Sequence, residues 1–545
     1  MTRIAPTAVL ALGAAAALAL TACAPRDGGG GGEALAPPEL VTALPAATTP
    51  VDEVTWSIVE GEPATLDPVS SANLIIPNLC DNLLSLQPDF SVEPGIATSA
   101  EWADPTTFVI ELRDDVTFWD GSPVTAEDVV YSLERNRSPE SQWFSAFALV
   151  TGIAASGPHE VTVTFSAPDS TFRDALAGQG GAVMSAAFGA GAGDGLGTSE
   201  AGLMCTGPYE LAADGWTPGS EIVTTANPDY WNGAPLVDTL RYVFVSDAST
   251  LATALTEGEI DGALNVSPSS RAAFEGEGAG RLVVGPSTAS YSFGPASAEG
   301  PAANPDIRRA LSLAIDREQY IDTVLNGLGE VQRTIVPEFT FQELSAADVY
   351  QEGYDALAAP GVDLDTATQL VEDSGEDVSE PLVLAVPAGA TEFKNTAQIV
   401  QSAAKQIGLT IEIDEMQASD FGAMFYDASA REGIDLVATQ GYLETPGVLG
   451  YPSLFMLPEE LGGVFNWSGY ANADVTAHMQ AARTATDERT AAQEFVAAQE
   501  IFAPDMLQVT LAGAYQLSYV NDGLTGITSS VAMYSSPWAL HLGGE

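Results

Sequence analysis

Basic residues are scarce in this sequence. Lysine and arginine together number 18 against 74 acidic residues, giving a formal net charge of −56 over 545 residues. The only lysines are Lys394 and Lys405. So negative a field disfavours binding to nucleic acid or to anionic lipid surfaces. Because the acids are scattered along the chain, they favour a solubilising acidic surface, with attraction of cationic ligands as the alternative.

Histidine is nearly as rare as lysine, with three residues in the chain. His159, His478 and His541 lie far from one another and from the cysteines, which argues against a zinc site of the usual histidine and cysteine kind. The serine-nucleophile, zinc-protease and phosphate-loop patterns are all absent. We therefore expect no cofactor, no metal and no catalytic residue, and an extracellular hydrolase is the least favoured class.

Long apolar runs are also missing. The longest one near the N-terminus, Ala8 to Leu20, is shorter than the roughly 20 residues that a bilayer requires, and it ends in small residues. The sequence Leu-Thr-Ala-Cys that ends at Cys23 resembles the bacterial lipobox, whose cysteine is lipidated. We expect residues 1–22 to be a lipoprotein signal peptide; an ordinary signal peptide with an incidental cysteine is the alternative.

Five glycines at 28–32, followed by an alanine- and proline-rich stretch, predict a flexible tether over residues 23–53. The chain has three cysteines. With Cys23 assigned to lipid, Cys80 and Cys205 remain, and such a pair tends to oxidise outside the cytoplasm. A disulfide between them is predicted, and closing so long a loop contributes up to about 5 kcal/mol.

The densest run of distinctive residues is "FWDGSPVTAEDVVYSLER", residues 118–135. Its Asp-Gly-Ser-Pro has turn composition, and Thr125 with Asp128 resembles a helix capping box. Apolar residues then repeat at helical spacing, and an alternating strand pattern precedes the run. These features predict strand, turn and capped helix, with Phe118 and Trp119 buried. Asp120 is not expected to bind calcium, because valine occupies a position where a ligand would be needed.

Extended to "LRDDVTFWDGSPVTAEDVVYSLER", this run closely resembles the signature of the family 5 extracytoplasmic solute-binding proteins. These are the oligopeptide-, dipeptide- and nickel-binding subunits of ABC importers. The other family landmarks occur in the right order: "TLDP" at 65–68, "LCDNLLSLQPDFSVEPGIATSAEW" at 79–102, "CTGPYEL" at 205–211, "NPDYWNGAPLVDTLRY" at 227–242, "NPDIRRALSLAIDREQYIDTVL" at 304–325 and "YANADVTAHMQAARTATDERTAAQEFVAAQEIF" at 470–502. The resemblance covers about residues 54–540.

The resemblance implies an α/β fold of the periplasmic-binding-protein type, with two lobes joined by a hinge and the extra domain of the peptide-binding class. By analogy, lobe I comprises residues 54–70, 206–285 and 510–545, the extra domain comprises 71–205, and lobe II comprises 286–509. The Cys80–Cys205 bridge would then pin the extra domain to the segment that re-enters lobe I.

The resemblance also implies three groups of ligand-binding residues. The first is the loop after Leu-Asp-Pro, and the second is an aromatic pair for which ordinary core is the alternative. The third is a segment where oligopeptide binders typically carry an aspartate for the peptide's amino terminus. Here Thr445 occupies the acid position, so either Glu444 substitutes for the aspartate or the amine anchor is lost. The residues are Ser70, Ser71, Ala72 and Asn73; Trp143 and Phe144; and Gly441, Tyr442, Leu443, Glu444 and Thr445.

These features predict a monomeric receptor anchored by lipid to the outer face of the cytoplasmic membrane. It would capture an oligopeptide-like solute between its lobes by hinge closure and deliver it to the permease and ATPase complex of an ABC importer. One alternative is a sensor or chaperone-like peptide-binding protein on the same fold. The other is an importer receptor for a non-peptide solute such as a glycoside, an opine or a nickel chelate.

Overall fold

The computed structural model describes residues 38–275, 278–441 and 446–545. Cys23, Tyr442, Leu443, Glu444 and Thr445 therefore lie outside the described residues. Two large mixed sheets and a smaller antiparallel sheet dominate this part of the chain. None of its helices has the length and apolar character needed to cross a membrane.

The first sheet has seven strands. At its centre, β1 (Val51–Ile58) pairs in parallel with both β10 (Val237–Val243) and β11 (Gly262–Leu264). The sequence of β1 alternates so that Val54, Trp56 and Ile58 enter one buried cluster, where Trp56 packs on Trp538 with ring centroids 4.9 Å apart. In spatial order the strands are β12 (Gly280–Gly285), β19 (Gln516–Asn521), β11 (Gly262–Leu264), β1 (Val51–Ile58), β10 (Val237–Val243), β9 (Glu221–Ala226) and β8 (Tyr209–Thr217).

The second sheet has six strands. Three of them are parallel to one another: β15 (Leu382–Pro387), β16 (Ile411–Met416) and β17 (Leu436–Gly441). Four helices cover one of its faces and form a single core with it. The first of them begins after Asn304, whose Oδ1 accepts a hydrogen bond from the backbone N–H of Asp306 at 2.9 Å. The strands are β14 (Gly329–Glu330), β18 (Val509–Ala514), β13 (Ser290–Pro295), β17 (Leu436–Gly441), β15 (Leu382–Pro387) and β16 (Ile411–Met416), and the helices are α7 (Pro305–Ala314), α8 (Arg317–Val324), α10 (Leu364–Asp373) and α11 (Thr391–Gln406).

The third sheet carries the signature run. Strand β5 precedes the turn, and α2 begins after Thr125, whose N–H and hydroxyl both donate to Asp128 Oδ2, at 3.0 and 2.7 Å. The predicted strand, turn and capped helix are confirmed. Phe118 is buried, but Trp119 is only half-buried. The elements are β4 (Ala97–Asp104), β5 (Thr107–Leu112), β7 (Glu160–Phe165), β6 (Val150–Gly157), α2 (Ala126–Arg135) and α3 (Phe172–Ala175).

The remaining elements extend these three units. Two strand pairs are short, and four helices form a separate apolar cluster beside the second sheet. The strand pairs are β2 (Leu84–Leu86) with β3 (Val92–Pro94) and β20 (Leu524–Thr525) with β21 (Gly543–Gly544); the clustered helices are α9 (Ala347–Ala356), α13 (Gly450–Met456), α14 (Ala473–Thr484) and α15 (Glu488–Phe502); the others are α1 (Ile76–Leu79), α4 (Ala186–Ala192), α5 (Ala248–Thr256), α6 (Arg271–Phe274) and α12 (Ala418–Ala423).

The tether prediction for residues 23–53 is wrong for residues 38–53. Backbone N–H groups in this segment donate to distant carbonyls, Val41 to Val284 at 2.8 Å and Leu44 to Ile527 at 2.9 Å. The side chains of Val41 and Leu44 pack against the core of the first sheet. Apolar contact and paired backbone groups thus fix a segment whose composition alone suggested a linker.

The assignment of residues 510–545 to lobe I also needs correction. Strand β18 pairs with β13 and β14, so residues 510–514 belong to the second sheet. The chain returns to the first sheet only at β19. No proline separates the two strands and only Tyr515 lies between them, so the sequence does not mark where the change of sheet occurs.

Cys80 and Cys205 form a disulfide with an Sγ–Sγ distance of 2.02 Å, closing a sequence separation of 125 residues. Cys80 directly follows α1, and Cys205 lies shortly before β8. Both cysteines belong to the buried cluster of the first sheet. The pairing is the one that the cysteine count predicts.

Candidate functional site

The chain crosses between the two large sheets at two places. We use the term crevice for the space between the sheets beside these crossings. Residues 286–289 join β12 to β13, and Tyr515 joins β18 to β19. The pairing of Leu264 with Ser518 puts the carboxyl end of β11 near one crossing, and the pairing of Gly441 with Ser290 puts the carboxyl end of β17 near the other. Ligands of open α/β sheets bind outside such carboxyl ends.

A loop at residues 65–73 follows β1 and is held by an ion pair. The Asp67 carboxylate accepts hydrogen bonds from both terminal nitrogens of Arg135, one at 2.9 Å, and from the Val69 N–H at 3.2 Å. Arg135 is the last residue of α2, where its charge is favourable to the helix dipole. The signature helix, to which the sequence assigned no ligand role, therefore fixes the position of this loop.

The aromatic segment predicted at Trp143 and Phe144 lies beside the same loop. The Trp143 indole N–H donates to the Pro68 carbonyl at 2.8 Å, and the Gln142 amide donates to the Ser70 carbonyl at 3.0 Å. The Trp143 side chain is half-buried, whereas Phe144 is 40% exposed. Trp143 thus supports the loop by a hydrogen bond, and Phe144 presents an accessible apolar surface next to it.

The four predicted loop residues differ in their exposure and in whether their polar groups are already hydrogen-bonded within the protein. The Asn73 side-chain oxygen accepts from the backbone N–H groups of Ile75 and Ile76, at 3.0 and 3.2 Å, so it is occupied by the start of α1. Ser70 and Ala72 are exposed and Ser71 is half-buried. Within the described residues, the N–H and C=O of Ala72 make no hydrogen bond. These main-chain groups are available to a ligand.

On the second sheet, the structure describes only Gly441 of the five predicted residues. It ends β17 and has a backbone φ of +130°, which favours glycine. The segment Tyr442, Leu443, Glu444 and Thr445, with the question of the amine-binding acid, lies outside the described residues. Its assignment stays a prediction.

A polar cluster that the sequence did not reveal lies at the carboxyl ends of β1 and β11. Glu60 follows β1 and Asn265 follows β11. The Tyr534 hydroxyl donates to Glu60 Oε1 at 3.0 Å, the Asn265 amide also donates to Oε1, and Gln516 Nε2 donates to Asn265 Oδ1 at 2.8 Å. Nothing in the sequence places Glu60 beside Asn265, because strand pairing brings them together across 205 positions.

The Glu60 cluster and the 65–73 loop are connected. Gln179 Nε2 donates to the Asn73 carbonyl at 3.0 Å and to the Tyr534 carbonyl at 2.5 Å. The Glu60 side chain is in contact with solvent, yet its pKa is raised above the ordinary glutamate value. Removal from bulk water is the main cause, and it outweighs the hydrogen bonds from its own amide, Asn265 and Tyr534. Neighbouring protein groups therefore shield Glu60 in part from bulk water, although its side chain is exposed.

Side-chain hydrogen bonds join the units to one another. The Ser267 hydroxyl, after β11, donates to Glu392 in the first turn of α11. On the side of the third sheet, Arg483 Nη2 donates to Asp169 Oδ2 at 2.8 Å and to the Ser145 carbonyl at 3.0 Å. Each of the three units thus contacts another through hydrogen-bonded side chains. No cluster of three or more potential metal-binding side chains was found in the described part of the chain.

Residues 91–460 match the family model described as bacterial extracellular solute-binding proteins, family 5, middle region. The chain belongs to this family. Protein XP55 of Streptomyces lividans is 27% identical over 451 residues, which cover 79% of this chain and 78% of that protein. The glutathione-binding protein GsiB of Shigella dysenteriae serotype 1 is 24% identical over 460 residues, 82% of this chain and 86% of the relative.

Solved structures of this type share the fold. AgaA of A. tumefaciens R10, in complex with agropinic acid, superposes with a TM-score of 0.77 at 23% identity, covering 90% of this chain and 99% of AgaA. The predicted fold class, an α/β periplasmic-binding-protein type, is confirmed. As a family 5 member, the chain is an extracytoplasmic solute-binding protein of a class that is not enzymatic.

Proposed function

We propose that this family 5 protein captures a peptide-like solute in the crevice between its two large sheets and delivers it to the permease and ATPase complex of an ABC importer. The observation that carries the proposal is the exposed main chain at Ala72, whose N–H and C=O have no partner among the described residues. A peptide main chain pairs with such groups much as an added strand does.

The rigid setting of the loop supports the same function. Four side chains donate hydrogen bonds to this loop: Arg135, Gln142, Trp143 and Gln179. A loop held in place before the solute arrives loses little conformational entropy on binding. Residues 286–289 and Tyr515 are the hinge of this proposal, and the solute closes it by binding the closed state better than the open one.

Peptide binding is tested by calorimetric titration of protein that has been unfolded in denaturant, freed of small solutes and refolded. The panel contains di- to pentapeptides, glutathione and agropinic acid. Saturable one-to-one binding of several peptides is the expected result. Binding of agropinic acid with no response to any peptide would overturn the peptide assignment and favour an opine receptor, a candidate supported by the structural similarity to AgaA.

Import is tested separately from binding. Deleting the gene should abolish uptake of the bound peptide in the parent bacterium, and the wild-type gene should restore it. Normal uptake in the deletion strain, together with an altered transcriptional response to the peptide, would instead identify a sensor.

Membrane attachment through Cys23 has its own experiment. Because acyl chains on that cysteine are the proposed anchor, Cys23→Ala should release the protein into the medium. The matched control is Cys80→Ala with Cys205→Ala, which removes the other two cysteines and should leave attachment intact. Unchanged membrane attachment of the Cys23 variant would contradict the lipid anchor.

A further inference from the structure

Only one of the two carboxylate oxygens of Glu60 accepts hydrogen bonds from other described residues. Its Oε1 accepts hydrogen bonds from the Asn265 amide and the Tyr534 hydroxyl, the latter at 3.0 Å. Oε2 accepts none from any other residue that the structure describes, and no lysine, arginine or histidine of that part of the chain forms an ion pair with Glu60. One oxygen is therefore fixed and the other is available.

The groups that hold Glu60 are themselves fixed. The Asn265 amide also donates to the Tyr534 hydroxyl at 2.6 Å, while its oxygen accepts from Gln516 at 2.8 Å. This last bond orients the Asn265 amide with its NH₂ group toward Glu60. The carboxylate is oriented by neutral donors, which position a negative charge without cancelling it.

A cation supplied by a bound solute would favour the charged form of this carboxylate. Loss of bulk water disfavours the charged form, and the raised pKa of Glu60 reflects that loss. Elsewhere in the chain, acids near arginine are paired: Asp67 with Arg135, and Asp169 with Arg483. Glu60 differs from these acids because no arginine, lysine or histidine among the described residues forms an ion pair with it.

We propose that Glu60 is a specificity-determining residue that binds a cationic group of the solute, an ammonium or a guanidinium, through Oε2. Asn265 and Tyr534 act as positioning residues. The inference rests on the proposed function, since it names the chemical class of solute for that crevice. It assigns the cation to the first sheet, independently of Glu444.

The test compares charged and neutral forms of one ligand by calorimetry. The probes are the tripeptide Ala-Lys-Ala, its form acetylated at both amines, and agmatine as a cationic non-peptide. Wild-type protein should bind the charged tripeptide at least about tenfold more tightly than the acetylated one. Glu60→Gln, which keeps the shape of the side chain, should remove that preference and leave the affinity for the acetylated form unchanged.

Glu259→Gln is the matched control, because Glu259 is an exposed acid of the same unit whose side chain forms no hydrogen bond or ion pair with any described residue. It should preserve the preference for the charged tripeptide. Tyr534→Phe should reduce the preference for the charged tripeptide about threefold and leave the affinity for the acetylated form unchanged. A purely structural role of Tyr534 would instead weaken the binding of both forms.

The outcomes separate the two proposals. If Glu60→Gln weakened the affinity for the charged and the acetylated tripeptide equally, or changed neither affinity, the role of Glu60 would be overturned. The proposal of peptide binding would remain intact. Binding of agmatine alone, sensitive to Glu60→Gln, would contradict peptide binding but support the cation site. No binding of any probe by wild-type protein would contradict both.

Discussion

The ion pair between Asp67 and Arg135 gives the sharpest structural prediction, because it links the family signature to the ligand loop. We expect Arg135→Met to destabilise the 65–73 loop and to weaken solute binding. The substitution keeps an apolar stem of similar length and removes the guanidinium. The Asp67 carboxylate, whose side chain is only 7% exposed, would then lose both arginine nitrogens and keep the backbone N–H of Val69 as a donor.

The magnitude follows from burial. Removing one partner of a fully buried ion pair costs about 3–5 kcal/mol. The Arg135 side chain is 24% exposed, so water replaces part of what is lost, and we expect about 2 kcal/mol. If the loop must be ordered for binding, that penalty corresponds to roughly a 30-fold weaker affinity.

A double-mutant cycle measures the interaction itself. Arg135→Met, Asp67→Asn and the double variant are compared by denaturant unfolding and by solute titration. Arg137→Met is the matched control, because Arg137 pairs with Glu134 nearer the surface, with side chains 33% and 39% exposed, and surface pairs contribute about 1 kcal/mol or less. Effects of Arg135→Met and Asp67→Asn that add to within about 0.5 kcal/mol would refute the reasoning.

Three further predictions concern the disulfide, the loop main chain and the half-buried acid Asp174. Replacing Cys80 and Cys205 together by alanine should cost up to about 5 kcal/mol of unfolding free energy, given the 125-residue separation; an unchanged denaturation midpoint would contradict this. Ala72→Pro, which removes one free N–H, should weaken peptide binding about tenfold, whereas Ala72→Gly should not; equal effects would exclude the main-chain contact. Loss of bulk water, only partly offset by the charge of Arg173 and reinforced by repulsion from Glu488, raises the pKa of Asp174 to about 6. The folded state therefore binds this proton more tightly than the unfolded chain, so the charge costs stability above about pH 6 and the cost disappears toward about pH 4. Asp174→Asn should raise the unfolding midpoint at about pH 7.5 and have no effect at about pH 4; a constant difference would contradict the assigned burial.

Local features of the fold were readable from the sequence. Thr125 and Asp128 form the predicted capping pair, and Asn304 caps its helix. Each depends on residues only a few positions apart, whose spacing alone determines the contact. The family followed from ordered motifs of the same local kind, and the cysteine count supplied the one long-range contact, Cys80 with Cys205.

The features that were missed depend on contacts between distant parts of the chain. Asp67 and Arg135 are 68 positions apart, and Glu60 and Asn265 are 205 apart. Neither pairing leaves a periodicity or spacing in the sequence. For the same reason the docking of residues 38–53 was not foreseen, since its backbone acceptors at Val284 and Ile527 come from remote segments.

The central claim is that this protein holds a solute without changing it. Native mass spectrometry of the protein as purified, followed by denaturation and analysis of what is released, tests this most directly. We predict a bound mass in a one-to-one complex that resolves into intact peptides on release. A single non-peptidic solute would contradict the peptide assignment, and peptides recovered only in cleaved form would contradict a purely binding role.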